Sequence, residues 1–320
     1  MTTIASRMAG AAWLRAASPV LLLVVLVVGI GSAAPGFMRL ETLGLLLSDT
    51  AVLFVMAAGL TFVIMVGGID LSVQAVASLA SVVVAQWLPV LGYAAFPAAI
   101  LAGLAVGLLS GFVHVRFRIP SFVATLATGG VVAGLALLAS HGQTVTILEA
   151  GRAQARWVSG SLLGVPDLIL IGALVAVGGL IVQRFTPFGR YSAAIGAGEP
   201  AAWASGIRVE RTKIVAFGIS GGLAALAGVL LAARLSSGSP TLANEMLLPA
   251  IAAVVVGGTA ITGGVGSVAR TIVGALIVSI VRIGMTFLNV NIFAQQIVFG
   301  AALVLAVAIT IDRTKIPIVK

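Results

Sequence analysis

Cysteine is absent from the 320-residue sequence, which excludes disulfides and thiolate metal sites. Charge is nearly as scarce: 8% of positions carry Asp, Glu, Lys or Arg, against about a quarter in a soluble domain. Two histidines, His114 and His141, are too few to cluster as zinc ligands. The three lysines, Lys213, Lys315 and Lys320, follow Thr212, Thr314 and Val319. No Gly-Lys pair exists, so the chain lacks the loop that cradles nucleotide phosphates.

What fills the chain is apolar: 60% of residues are hydrophobic and the mean hydropathy is +1.22. A soluble domain could not hide that much apolar surface. The net charge of +9 would suggest nucleic acid in a soluble protein. Here the basic residues sit between apolar runs, and the balance reads as membrane orientation, with lipid and not nucleic acid as the partner.

Apolar stretches near the ~20 residues needed to cross a bilayer fall at about 18–34, 43–66, 71–88, 94–113, 121–139, 165–184, 213–233, 247–265, 268–288 and 294–311. The expectation is an all-α, polytopic bundle of about ten spans forming one domain over 1–320. Arg7 and Arg15 before the first run resemble a signal peptide, but the run matches the later ones and reads as an uncleaved first helix. With the N-terminus cytoplasmic, inner loops and ends carry thirteen basic residues and the outer side five, Arg39, Arg152, Arg156, Arg234 and Arg282. That bias places both termini in the cytoplasm. The break at Gly67-Gly68-Ile69-Asp70 is either a tight turn or a helix broken within the membrane.

Two long stretches lie outside the spans: an outer one at 140–164, with His141, Gln143, Glu149, Arg152 and Arg156, and an inner one at 184–213. In the inner stretch Pro200 suits the first position of a helix and Gly206 the residue just past its end. A short helix over 200–205 follows, rich in alanine, with Trp203 as its one large side chain.

Four segments resemble one family, the ribose-type permeases of ATP-binding-cassette importers. They are Gly67-Gly68-Ile69-Asp70-Leu71-Ser72-Val73; Ile119-Pro120-Ser121-Phe122-Val123-Ala124-Thr125-Leu126; Thr186-Pro187-Phe188-Gly189-Arg190 leading to Ala194-Ile195-Gly196 and Ala204-Ser205-Gly206-Ile207; and Ala250-Ile251-Ala252-Ala253-Val254-Val255-Val256-Gly257-Gly258-Thr259 before Gly263-Gly264-Val265-Gly266-Ser267. The sequence departs from that pattern at Gln74, where the family has Gly, and at Met246-Leu247-Leu248-Pro249 after Glu245. The resemblance implies a multi-pass permease of the bacterial inner membrane that moves a monosaccharide or polyol and is not itself an enzyme. It further implies a second permease subunit, a sugar-binding protein outside the cytoplasm, periplasmic or lipid-anchored, and a separate ATPase that holds the ATP and Mg. The chain itself carries no cofactor on this reading.

The short inner helix is then the element such an ATPase grips, with Arg190, Gly198, Glu199, Pro200, Trp203 and Gly206 as coupling residues. Gly67, Gly68, Asp70, Ser72, Gln74, Ser121, Thr125 and Gln295 are candidates for the translocation path or gate. Thr128, Asn289, Asn291 and Gln296 are further polar groups of that kind. Each hydroxyl or amide among them fits helix-to-helix hydrogen bonding at least as well, and Asp70 or Ser72 fits a helix N-cap. The glycine pairs at 221–222, 257–258 and 263–264 read as close-packing sites. An ion-coupled secondary transporter is the competing class, but it needs ionisable groups in the membrane, and Asp49 and Asp167 sit near span ends. Gly218-Ile219-Ser220-Gly221 matches an intramembrane serine protease, yet no histidine follows His141 to serve as its base.

Overall fold

The computed structural model describes residues 2–291, 294–301 and 304. Its helices are α1 (Thr2–Ala33), α2 (Leu40–Met65), α3 (Val73–Leu91), α4 (Ala95–Arg116), α5 (Ser121–Ser140), α6 (Glu149–Ser159), α7 (Asp167–Phe185), α8 (Pro187–Ala197), α9 (Glu199–Ala204), α10 (Val209–Leu235), α11 (Leu247–Val256) and α12 (Val268–Phe287). Residues 294–301 are helical again. Among the described residues, extended structure is limited to two-residue pairings, Val145–Thr146 with Ser237–Gly238 and Ser161–Leu162 with Val165–Pro166, both antiparallel.

Among the described residues six helical segments are long and apolar enough to cross a membrane. One of them, Val73–Arg116, is α3 and α4 run together through a single turn at Gly92–Ala94. Ser18–Ala33 and Asn244–Val256 are apolar but shorter. The stretch 247–265, expected as one span, is a ten-residue helix followed by irregular chain. The cause is local: Gly258, Gly263 and Gly264 take φ of +93°, +87° and +79°, a backbone that ends an α-helix. Arg313, Lys315, Lys320 and the C-terminus lie outside the described residues, as does most of the stretch 302–311.

Helix α10 is the axis of the bundle and packs against α2, α3 and α4. Gly103, Gly107 and Gly111 of α4 recur every four residues on the face that meets it. A Cβ on Gly111 would stand 2.9 Å from the Ile214 Cα, and one on Gly221 2.9 Å from the Gly107 nitrogen. Backbones this close are what small residues permit in a membrane, where packing and not hydrophobicity drives helix association. Contacts of Gly59 with Ser220 and of Asp49 with Arg234 show that α2 runs antiparallel to α10. Gly228 against Ala77, with Asp70 against Ser220, shows that α3 runs parallel to it. Residues 66–72 therefore cross from one flank of α10 to the other.

Candidate functional site

The crossing is irregular because Gly67 adopts φ of +81°, left-handed backbone that only glycine takes without strain. The polar groups this exposes are satisfied from α5. Ser121 Oγ accepts from the Ile69 amide at 3.0 Å, and Thr125 Oγ1 accepts from the Leu71 amide at 3.0 Å. Pro120, just before α5, starts that helix abruptly and sets both hydroxyls one turn apart on one face. Gly68 lets the Phe217 ring approach, 3.1 Å from where a Cβ would sit.

Asp70 is fully buried. Its Oδ1 accepts from the amide and the hydroxyl of Ser72, at 2.9 and 2.6 Å, and its Oδ2 accepts from Ser220 Oγ at 2.7 Å. The carboxylate thus holds Ser72, the residue just before α3, and also ties the crossing to α10. Ser72 stands at the N-cap of α3 but its side chain accepts no amide there. Its hydroxyl donates to Asp70 instead.

A second interruption, residues 257–267, joins α11 to α12 and meets the first. The Gly264 amide donates to the Met65 carbonyl at 3.0 Å, and a Cβ on Gly263 would lie 2.9 Å from the Gly67 nitrogen. Gln183 of α7 braces this loop: its Nε2 donates to the Gly266 carbonyl at 2.8 Å, and its Oε1 accepts from the Val268 amide at 2.9 Å.

Helix α8 is seated on that junction. Gly196 touches the Met65 carbonyl and the Gly264 nitrogen so closely that a Cβ would overlap both. Gly198 then passes the chain straight into α9. Pro200 stands at the start of α9, and Gly206 follows it with φ of +79°. Glu199 forms an ion pair at 2.6 Å with Lys213 of α10, anchoring α9 beside the base of the central helix. Trp203 is 75% exposed, on the rim of a cleft of about 700 Å³ shared with His114, Arg118, Glu199, Glu210 and Lys213. Arg190 is exposed on α8.

The residues singled out in the sequence thus form two groups. Gly67, Gly68, Asp70 and Ser72 meet Ser121 and Thr125 at the crossing, while Arg190, Gly198, Glu199, Pro200, Trp203 and Gly206 belong to the α8–α9 element. Gln74 lies within the first turn of α3, half-buried. Gln295 stands apart from both groups, with its Nε2 3.4 Å from Thr286 Oγ1. The sequence does not predict the bond of Ser220 to Asp70, the brace of Gln183 or the contact of Gly196 with both interruptions.

A bundle of membrane-length apolar helices, with two glycine-rich interruptions inside it and a short helical element seated on their meeting point, is an arrangement suited to a membrane permease. The chain belongs to the family described as branched-chain amino acid transport system / permease component, whose model matches residues 42–307. It is 35% identical to the ribose import permease protein RbsC of Escherichia coli K12 over 95% of each chain, and 37% identical to that of Bacillus subtilis 168 over 93% of this chain and 92% of the relative. It is 34% identical to the xylose transport system permease protein XylH of Escherichia coli K12 over 82% of each chain. Membership makes the chain a multi-pass transport component of the inner membrane.

Proposed function

We propose that the chain is the membrane permease of an ATP-binding-cassette importer that carries a monosaccharide, a pentose such as ribose or a related sugar or polyol. The observation that carries this reading is the 35% identity to a ribose import permease protein over 95% of both chains. An extracytoplasmic binding protein delivers the sugar, and a separate ATPase subunit supplies the energy.

The ATPase grips α9 through exposed Trp203. Closure of the ATPase pair displaces α8 and α9 together, since Gly198 alone separates them. Gly196 passes the displacement to residues 66–72 and 257–267, which move against α10 and open the path. Neutral hydroxyls of a sugar need donors and acceptors beside apolar walls and no fixed charge. Two such permeases, alike or paired with a sister chain, enclose the path.

The whole chain acts as one membrane domain of about ten spans. They are α1 to α5, α7, α10, α11 with its following loop, α12, and the helix that begins near residue 294, with both termini in the cytoplasm. An ion-coupled carrier is disfavoured because Asp70, the acid nearest the interruptions, has its oxygens taken by Ser72 and Ser220.

The test is uptake of labelled pentoses into proteoliposomes holding this chain. Accumulation that requires the ATPase, internal or external ATP on its side, and the binding protein supports the reading. Uptake driven by a proton or sodium gradient without ATPase would replace it with the ion-coupled one.

A further inference from the structure

A second cleft of about 530 Å³ lies between α8 and the base of α10. Phe188, Tyr191, Arg208, Arg211, Thr212 and Val215 line it. No carboxylate does, and among the described residues neither Arg208 nor Arg211 belongs to an ion pair. The cleft beside Trp203, by contrast, contains Glu199 and Glu210.

Farther along the same helix an apolar groove of about 320 Å³ runs between α2, α4, α7 and α10, walled by Phe62, Ile100, Val182, Ile219, Leu223 and Leu226 among others, none polar. Cleft and groove lie on one face of α10. Positions 211, 215, 219, 222 and 226 follow at three- or four-residue intervals, the spacing of a single helical stripe, and Arg208 stands just before the helix at the same end as Arg211. Within 216–230, α10 is buried except at Ile219, Gly222, Leu223 and Leu226. The rings of Phe188 in the cleft and Phe62 in the groove are 5.5 Å apart between centroids, so the two spaces adjoin. From Val215 to Leu226 the helix rises roughly 16 Å at about 1.5 Å per residue, the depth of one leaflet of a ~30 Å hydrocarbon core.

We propose that cleft and groove together seat one anionic glycerophospholipid, its phosphodiester held by Arg208 and Arg211 and an acyl chain lying along the α10 stripe. Guanidinium groups match phosphate oxygens in a fork, and basic pockets between spanning helices are the usual receptors of anionic headgroups. A free phosphate would leave the groove empty. The seat does not depend on the transport reading.

The test is native mass spectrometry of the full-length chain in mild detergent with phosphatidylglycerol, phosphatidylethanolamine or glycerol phosphate added. Phosphatidylglycerol should be retained in preference to the other two. Arg208→Gln and Arg211→Gln should each weaken that retention about fivefold, and the pair about thirtyfold, leaving phosphatidylethanolamine unchanged. Gly222→Leu, whose nearest neighbour outside its own helix backbone would be a Leu104 methyl at 3.7 Å, should fill the groove and weaken retention with both arginines present. Thermal unfolding of each variant establishes that it is folded. Equal retention of the two lipids, or retention unchanged in the double arginine variant, overturns the proposal. So does glycerol phosphate binding as tightly as the lipid, which makes the cleft a free-anion site. Loss of a chain dimer in Gly222→Leu with lipid retention intact also overturns it, because the groove is then an interface between copies.

Discussion

Ser220 donates its hydroxyl to Asp70 Oδ2 at 2.7 Å across 150 positions of sequence. That bond fixes the crossing between α2 and α3 to the central helix α10. It also completes the coordination of a buried acid by neutral donors, which gives Asp70 a structural role at the interruption.

Ser220→Ala leaves one oxygen of a buried carboxylate without its donor, a loss of about 1–3 kcal/mol. Thermal unfolding in detergent should show a lower midpoint than wild type, and Ser220→Thr, which keeps the hydroxyl, should lose less. An unchanged midpoint in Ser220→Ala would mean that water reaches Asp70 and that this acid borders a wet path.

Gly196→Ala places a methyl group where the Met65 carbonyl and the Gly264 nitrogen already sit. The expected outcome is a chain that still inserts and still co-purifies with the ATPase, but whose labelled-pentose uptake falls at least about tenfold, the effect of ~1.4 kcal/mol. Wild-type uptake would show that α8 does not transmit movement through this contact.

The absence of cysteine makes single cysteines clean probes of topology. Ser192 is an unsuitable position because it is buried, with its hydroxyl on the Phe188 carbonyl. Ser205, exposed at the end of α9, should react with an impermeant reagent only after cells are opened. Ser159, exposed at the end of α6, should react from outside. The reverse pattern would invert the orientation drawn from the basic residues.

Hydropathy alone located α2 to α5, α7, α10 and α12, because a spanning helix must be apolar along its length. The punctuation of α9 was equally legible: Pro200 and Gly206 predicted a helix over 200–205, and Glu199–Ala204 is observed. The same punctuation stands at Thr186-Pro187, where α8 begins, a helix that the apolar pattern does not mark. Hydropathy could not separate α11 from its loop, since glycine, alanine and valine score alike whether or not φ turns positive. Nor did it reveal α6, an amphipathic helix that turns Gly151, Ala155 and Val158 inward and Arg152 and Arg156 outward. Ser121 and Thr125 stood out as polar groups in an apolar run, but their partners, the Ile69 and Leu71 amides, are set by tertiary packing. Ser220 stands out in the sequence only within Gly218-Ile219-Ser220-Gly221, and the fold reveals its partner Asp70.

If the ATPase drives the permease through α9, Trp203→Ala should uncouple them. Buried aromatic anchors supply much of the energy of an interface, and Trp203 is the large side chain that α9 leaves free. The measurement is co-purification of the ATPase with the variant chain, read beside labelled-pentose uptake. Both should be lost while membrane insertion and docking of the binding protein persist, and Arg152→Ala on α6 should spare ATPase assembly. Normal co-purification and normal uptake for Trp203→Ala would contradict that coupling and reduce α9 to a connector.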